Sequence, residues 1–218
     1  MSSSVSRYDE IAEWYCDFTG DWPHEPIALP PADVRGRRVL DMACGYGPAS
    51  RYLAARGATV TGVDLSSRLL ARAAAMEASE PLGITYVQGD VSATEWWDGE
   101  SFDGVLCNMA LMDIDDLDGA LATAARVVET RGWFSMSVLH PCFPGGPDAQ
   151  PSWPPDRGYS WEGLWNTNGV GVRGHASVNH RTLSTYLNAM VRAGFELEEF
   201  AEPRSPVPRY LTVCGRRR

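Results

Sequence analysis

The chain contains no lysine, since all 19 of its basic residues are arginine. The absence of lysine excludes catalysis through a lysine Schiff base. It also excludes the Tyr-x-x-x-Lys pair on which the common short-chain oxidoreductases depend. An enzyme with this sequence must therefore rely on other reactive groups.

Cysteine is scarce as well. The five cysteines are scattered, odd in number, and show neither a C-x-x-C pair nor the spacing of metal ligands. Such a set predicts reduced thiols rather than a disulfide framework, and we predict no metal site. The cysteines are Cys16, Cys44, Cys107, Cys142 and Cys214.

The chain also lacks a net positive charge and long apolar runs. The formal net charge is -9 and the isoelectric point is about 4.9. Because nucleic-acid binding requires a basic surface, we expect no nucleic-acid partner. No stretch is long and apolar enough to span a bilayer, and the polar start lacks the apolar core of a signal peptide. We therefore expect a cytoplasmic protein with no membrane partner.

At 218 residues and 44% hydrophobic composition, the chain can bury the core of one α/β domain, predicted to cover 1–218. Segments 58–63, 84–88, 102–107, 133–139, 195–200 and 211–214 are predicted strands, in addition to the strand that begins near Val39. Segments 48–56, 66–79, 117–129 and 181–193 are predicted helices. Strands that alternate with helices indicate a parallel sheet covered on both faces, with ligands at the carboxyl ends of its strands.

The most informative stretch is 39–47, a buried strand that runs into a glycine-rich turn. Gly45 and Gly47 permit backbone angles closed to other residues and leave room for a ligand against the main chain. The nicotinamide fingerprint G-x-G-x-x-G/A is incomplete, because Ser50 stands in the place of the third glycine. Asp41, just before the turn, would repel a pyrophosphate but suits a ligand that carries an amino group or a sulfonium centre.

Two further predicted strands end near aspartates. Asp64 follows strand 58–63, and Asp90 follows strand 84–88. A carboxylate at the tip of the second strand is well placed to bind ribose hydroxyls. The sequence thus predicts three aspartates, Asp41, Asp64 and Asp90, near one edge of the sheet.

With these residues the sequence resembles the class I S-adenosylmethionine-dependent methyltransferases of the small-molecule type. The resemblance is carried by the motif at 40–47, by Asp64, by the pair at 90–91, by the strand end at 105–112 and by the opening segment 8–15. It implies a Rossmann-like, doubly wound sheet of seven mostly parallel strands, with the last strand antiparallel. An irregular lid would be inserted after the fifth strand.

The resemblance also implies a cofactor site for S-adenosylmethionine, with S-adenosylhomocysteine as the product. The region of Asp41 and Gly45 would hold the methionine part, and Asp90 would bind the adenine amino group. The implied cofactor residues are Tyr8, Tyr15, Asp41, Ala43, Gly45, Gly47, Asp64, Leu65, Gly89, Asp90, Val91, Asn108 and Met109.

Structural roles stay open for several of these residues. Asp90 suits the capping of a following helix. Asn108 suits a turn in which its side chain satisfies local backbone groups. Tyr8 and Tyr15 share one helical face and would also fit a packed core.

Residues 141–180 are rich in proline, glycine and aromatics, and they lack helical or strand periodicity. A long irregular segment within a compact domain is usually a lid or a disordered linker, and the aromatics favour a substrate-covering lid. We expect these aromatics to stack on a planar acceptor or to stabilise a cationic one. They are Phe143, Trp153, Tyr159, Trp161 and Trp165.

Histidine is the usual general base for removing a proton from the acceptor. His140 directly follows the fifth predicted strand, and His180 precedes the last predicted helix. We take both as catalytic candidates. The alternative roles are a cap on the strand for His140 and a helix-start residue for His180.

The acidic run Asp113, Asp115, Asp116 and Asp118 is interpreted as the solvated start of the following helix, where acidic residues are favoured. No Asn-Pro-Pro-Tyr-like sequence follows the fourth strand. The signature of amide and adenine N-methylation is therefore missing. Because a histidine near the site suits proton removal, we predict methylation of an oxygen or nitrogen in a small aromatic or heteroaromatic acceptor, in bacterial specialised metabolism. Three other functions stay open: a C-methyltransferase, an NAD(P)-dependent oxidoreductase and a non-catalytic binding protein for the same cofactor. A homodimeric assembly also stays open.

Overall fold

The computed structural model describes residues 6–20, 25–28, 30, 33–143, 153–167 and 171–218. Its strands are β1 (Arg38–Met42), β2 (Thr59–Asp64), β3 (Thr85–Gln88), β4 (Phe102–Asn108), β5 (Val128–Leu139), β6 (Gly163–Trp165), β7 (Val178–His180), β8 (Phe195–Ala201) and β9 (Tyr210–Arg217). Its helices are α1 (Ala12–Thr19), α2 (Pro48–Ala55), α3 (Ser67–Ser79), α4 (Leu117–Val127), α5 (Gly171–Ala176) and α6 (Leu183–Arg192).

Seven strands form the central sheet in the order β3-β2-β1-β4-β5-β9-β8. β9 is antiparallel to both of its neighbours, and the other pairs are parallel. The strand order reverses between β1 and β4, because the chain adds β2 and β3 on one side before it crosses to the other. The predicted seven-stranded, doubly wound fold is confirmed, and ligands are expected at this switch point.

The helices begin where the sequence provides caps. Ser66 accepts a hydrogen bond from Leu69 N at the start of α3, and Thr182 accepts one from Thr185 N at the start of α6. The helix predicted over 117–129 ends at Val127, because β5 already begins at Val128 and pairs there with Phe102. Arg131 interrupts this first part of β5 with a positive φ of 67°, which concealed the strand in the sequence pattern.

The core lies on both faces of the sheet, because successive strand residues point to opposite sides. In β1, Val39 packs with Leu53 of α2 on one face, whereas Leu40 belongs to the larger cluster with Phe134 and Phe195 on the other. The hydrophobic burial on both faces explains why the parallel strands read as continuous apolar runs.

Residues 141–180 are less irregular than we predicted. β6 pairs antiparallel with β7, joining Gly163 to His180, and α5 lies between them. Elements of only three residues are too short to produce a periodic pattern in the sequence. Residues 144–152 and 168–170 lie outside the described part of the chain.

No helix among the described residues combines the length and the apolar character that crossing a membrane requires.

Candidate active site

A cavity of about 390 Å³ lies at the carboxyl ends of β1, β2 and β4. All of the implied cofactor residues line it except Gly47 and Gly89. Residues from the amino-terminal segment, the glycine-rich turn, α2, α3 and the loops after β3 and β4 complete the wall. These additional lining residues are Ser6, Arg7, Thr19, Glu25, Ile27, Cys44, Tyr46, Pro48, Ala49, Leu69, Ser92, Ala110, Asp113, Ile114, Asp115 and Asp116.

Gly47 and Gly89 are not among the described residues that line the cavity, and each stands against a neighbouring aromatic side chain. A Cβ atom on Gly47 would lie 2.3 Å from Tyr86 Oη, and one on Gly89 would lie 2.6 Å from the Trp96 Cβ. Gly47 also has a φ of 90°, which L side chains rarely adopt. Both glycines are therefore required for packing and backbone geometry.

Asp64 joins the end of β2 to the glycine-rich turn. Its Oδ2 accepts a hydrogen bond from Gly45 N and its Oδ1 accepts one from Ser66 N, each at 2.8 Å. Burial raises the pKa of this carboxyl group, although the two backbone donors work in the opposite direction. Each carboxylate oxygen has further acceptor capacity, so Asp64 can also receive the ribose hydroxyls for which the sequence suggested it.

Asp41 is almost fully buried, and Ser50 Oγ donates a hydrogen bond to its Oδ2 at 2.5 Å. Burial raises the pKa of Asp41 to about 7, against the opposing effect of the Ser50 hydrogen bond. The serine that stands in place of the third glycine of the nicotinamide fingerprint thus has a structural role, because Ser50 gives this buried carboxyl group a hydrogen-bond donor.

The structural alternatives for Asp90 and Asn108 are partly realised. Asp90 Oδ1 accepts hydrogen bonds from Ser92 N at 2.9 Å and from Ser92 Oγ at 2.6 Å. Asn108 Oδ1 accepts from Ala28 N and Ser137 Oγ, each at 3.0 Å. Both residues also line the cavity, so local bonding fixes side chains that a ligand can contact.

Tyr8 and Tyr15 close one side of the cavity. Their rings make an edge-to-face contact with centroids 5.0 Å apart, and Tyr15 makes a second such contact with Tyr46 at 6.1 Å. Burial raises the pKa of both phenols, so both are neutral near pH 7. They are packed aromatic residues and cavity-lining residues at once. The opening segment 8–15 is helical only from Ala12 onward, and Tyr8 lies in the turns before α1.

Asp113 was missed as a site residue, because we interpreted its acidic run as a solvated helix start. The structure separates the members of that run. Asp116 caps α4 by accepting from Gly119 N, and Asp118 pairs with Arg192 at the surface. Asp115 pairs with Arg7 at 2.9 Å. Asp113 lines the cavity, and burial raises the pKa of its carboxyl group to about 7.

Neither candidate histidine is among the described residues that line the cavity, and their role as bases stays a prediction. The Nε2–H of His140 donates to Glu202 Oε1 at 2.7 Å, and its Nδ1 accepts from Cys142 N at 3.1 Å. The Nε2–H of His180 donates to Tyr159 O at 2.9 Å. The bond from Cys142 N matches the alternative role of His140 as a strand cap, and the bond to Glu202 ties the end of β5 to the chain near β8.

The predicted lid aromatics do not line the cavity either. Trp153, Tyr159 and Trp161 gather around the buried His180 ring, with centroids 5.5–6.5 Å from it. Burial lowers the pKa of His180 in this apolar surrounding. These rings stabilise the segment itself, so the aromatic wall of the cavity is made by the tyrosines at its amino-terminal side.

The cavity is strongly acidic, with seven carboxylic residues and the single cation Arg7 among its described lining. A ligand with a ribose, an amino group and a positively charged sulfonium fits these groups, because Asp64 can accept hydroxyl hydrogens and the remaining carboxylates attract positive charge. A pyrophosphate would face repulsion. Among the described residues, no cluster of three or more His, Cys, Asp or Glu side chains is arranged to hold a metal ion.

Comparison with known proteins agrees with this geometry. The sequence model of the family described as "Methyltransferase domain" matches residues 40–136. Among curated proteins, the ubiquinone biosynthesis O-methyltransferase of Paracidovorax citrulli is 33% identical over 148 residues, which are 63% of this chain and 62% of the relative. The protein of the same name from Thiobacillus denitrificans is 32% identical over 149 residues, 64% of this chain and 63% of the relative. The chain thus matches less than two thirds of the length of these curated relatives.

A solved structure gives the fuller match. An S-adenosylmethionine dependent methyltransferase from Mesorhizobium loti is 31% identical with a TM-score of 0.70, and the match covers 94% of this chain and 98% of that one. The chain therefore belongs to the S-adenosylmethionine-dependent methyltransferases, enzymes whose cofactor is S-adenosylmethionine.

Proposed function

We propose that this methyltransferase modifies an oxygen or nitrogen of a small acceptor that is uncharged or cationic and has an aromatic or heteroaromatic ring. The observation that carries the proposal is the composition of the cavity wall. Seven carboxylic residues and one arginine disfavour an anionic acceptor, whereas Tyr8, Tyr15 and Tyr46 offer aromatic surfaces.

When bound, S-adenosylmethionine supplies a methyl group on a sulfonium sulfur, and sulfur keeps the electron pair of the broken carbon–sulfur bond. The residues of the chain bind, orient and exclude water. Asp64 and Asp90 are the proposed ligands of the ribose and the adenine, and the turn at Gly45 gives the methionine part access to the backbone. Positioning of this kind supplies most of the catalysis that such a displacement needs.

Segment 141–180 is proposed as a cover over the acceptor. His175 of α5 stacks on Trp14 of α1 with ring centroids 3.7 Å apart. Asn179 N donates to Met112 O at 2.8 Å, which attaches the same segment to the loop after β4. The segment thus contacts α1 and the loop after β4, both of which contribute other residues to the wall, and its closure would exclude water from the reacting atoms.

The names of the relatives favour oxygen as the acceptor atom. Two acceptor classes follow from the sequence and from those names: a molecule of bacterial specialised metabolism, and a molecule of ubiquinone biosynthesis. Both are compatible with an uncharged ring in the cavity.

Calorimetric titration of the purified protein with S-adenosylmethionine, S-adenosylhomocysteine and NADH tests the proposal first. We expect binding of the first two and none of NADH. Incubation with S-adenosylmethionine and a panel of phenols and aromatic amines should then give a product heavier by one methyl group in place of hydrogen. Cofactor binding without any such product would leave the non-catalytic binding protein as the better interpretation.

A further inference from the structure

We propose that Asp113 binds the O–H or N–H group of the methyl acceptor and accepts its proton. This inference rests on the proposed function and names a residue that contacts the acceptor. It names a proton acceptor among the described residues that line the cavity, where neither candidate histidine is found.

The position of Asp113 is the first argument. It lies on the loop that follows β4 and lines the same cavity as Met109 and Ala110. Arg181 fixes this loop, because its guanidinium donates to Leu111 O at 2.9 Å, Ile114 O at 2.7 Å and Asp115 O at 2.8 Å. The carboxyl group of Asp113 is therefore carried by a backbone that is fixed on both sides.

The amino-terminal segment also fixes the loop after β4. Arg7 Nη2 donates to Asp113 O at 2.6 Å, and Arg7 Nη1 pairs with Asp115. Arg7 thus uses a backbone oxygen of Asp113 and the side chain of a different residue. Neither contact uses the Asp113 carboxyl group, which has the Tyr8 hydroxyl as a hydrogen-bonding neighbour.

Hydrogen bonding is the decisive argument. Asp113 Oδ1 is buried and has no hydrogen-bond partner among the described residues. A buried acceptor without a donor is costly, so it indicates a ligand that supplies one. The other aspartates of the cavity already have donors on the protein, namely Ser50 for Asp41, Gly45 and Ser66 for Asp64, Ser92 for Asp90, Arg7 for Asp115 and Gly119 for Asp116.

The charges around Asp113 suit a proton acceptor. Burial raises its pKa most, and Asp64 adds to the rise. Arg7, the Tyr8 hydroxyl and Arg173 lower the pKa, and the balance leaves it at about 7. A carboxyl group with a pKa near the working pH is an efficient general base, because it is often ionised and still holds a proton well.

The proton balance is simple. The proton leaves the acceptor oxygen or nitrogen for a carboxylate oxygen of Asp113. On oxygen, the electron pair of the broken O–H bond stays on the acceptor atom, which forms the new bond to the methyl carbon supplied by S-adenosylmethionine. On nitrogen, the lone pair forms that bond, and the electron pair of the N–H bond stays on nitrogen as the proton leaves. The proton then passes from Asp113 to solvent.

The test measures binding of small probes to the complex with S-adenosylhomocysteine. The probes are phenol, catechol, aniline and tyramine, and the counterparts without a donor hydrogen are anisole and N,N-dimethylaniline. Wild type, Asp113→Asn and the control Asp118→Asn are compared by saturation-transfer NMR competition. Asp118 is an acidic residue of the same run whose side chain pairs with Arg192 at the surface.

We expect Asp113→Asn to weaken at least one donor probe about tenfold, with the affinities of S-adenosylhomocysteine and of the counterparts unchanged. Asp118→Asn should behave as wild type. Should Asp113→Asn fail to fold, the wild-type complex serves instead, and phenol binding should weaken as the pH falls below about 7.

Equal affinity of the donor probes for wild type and Asp113→Asn would overturn the role of Asp113, as would phenol binding that does not change with pH. Binding of S-adenosylhomocysteine without any probe would overturn the acceptor class and leave the family assignment intact. Failure of S-adenosylhomocysteine itself to bind would contradict the proposed function rather than this inference.

Discussion

Three aspartates of the cavity share one chemistry but differ in their surroundings. Asp64 receives two backbone donors, Asp41 receives one hydroxyl donor, and Asp113 has an oxygen without a donor among the described residues. Because hydrogen bonds to a carboxylate stabilise its charged form, the environment decides which group binds a cofactor hydroxyl and which can exchange a proton.

Asp64→Ala should weaken binding of S-adenosylhomocysteine by about 1–3 kcal/mol, because ribose hydroxyls would be buried without an acceptor. The measurement is calorimetric titration at pH 7.5, with Asp118→Asn as the acidic control that leaves affinity unchanged. Unchanged affinity in Asp64→Ala would remove Asp64 from the ribose role.

The buried Asp41 should make the stability of the folded protein depend on pH. Its pKa is raised to about 7 in the folded protein. A carboxyl group with a raised pKa contributes its full stability below its unfolded pKa, and this contribution is lost as the pH rises through the folded value. An ionised Asp41 therefore destabilises the fold above pH 7.

Asp41→Asn removes that ionisation. Relative to wild type, its free energy of unfolding should improve by roughly 2 kcal/mol between pH 5 and pH 8. Urea unfolding at the two pH values measures the difference, and Asp118→Asn should show no comparable change. A difference between Asp41→Asn and wild type that is the same at both pH values would mean that Asp41 titrates as an ordinary carboxyl group.

The sequence predicted the residues whose positions are local to a strand end. Asp41 and Asp64 follow directly from the strands before them. His140 also follows a strand, but its ring bonds Glu202, which is 62 positions away in the sequence. No local pattern indicates which way such a ring points, and for the same reason Asp113 was assigned to a solvated helix start.

At the scale of elements, the loop between β4 and α4 depends on α6. Arg181 is mostly buried just before that helix, and its guanidinium satisfies three carbonyl oxygens of the loop. The planar, five-donor geometry of arginine makes this possible, and a lysine ammonium cannot reproduce it. The acceptor side of the cavity is thus built by contacts between distant parts of the chain.

Arg181→Met should destabilise the protein by about 3 kcal/mol, because three carbonyl oxygens lose a charged donor. In a domain of this size such a loss lowers the melting temperature by roughly 6–12 °C. Arg181→Lys should lie between Arg181→Met and wild type. Affinity for S-adenosylhomocysteine should change little, since the proposed ribose and adenine ligands, Asp64 and Asp90, lie at the ends of β2 and β3.

Arg192→Met provides the matched control for thermal unfolding, because Arg192 pairs with Asp118 at the surface and exposed pairs contribute little. A melting temperature for Arg181→Met equal to that of Arg192→Met would show that the loop does not depend on the buried guanidinium.

Contacts between distant parts of the chain also decide which secondary-structure elements can be predicted from the sequence. β1, β2 and β4 are apolar runs bounded by turn residues, so their pattern alone indicates strands. β6 and β7 have three residues each and exist because they pair with each other. Their formation depends on a tertiary contact, which explains why 141–180 was predicted to be irregular.

At the scale of the whole molecule, charge is the dominant property. The chain has a net charge of -9, and seven carboxylic residues line the cavity. The field of such a protein attracts cations toward the site and repels anions. S-adenosylmethionine carries a sulfonium charge that S-adenosylhomocysteine lacks, so the two compounds form a matched pair for measuring this field.

Raising the salt concentration from 50 to 500 mM should weaken binding of S-adenosylmethionine roughly two- to fivefold more than binding of S-adenosylhomocysteine, because salt screens the attraction to the sulfonium. Calorimetric titrations of both compounds at the two concentrations measure this ratio. An equal salt dependence would mean that the acidic residues act on the groups that both compounds share. The acidic cavity would then provide no selective attraction for the methyl donor, and the argument for a cationic acceptor would weaken with it.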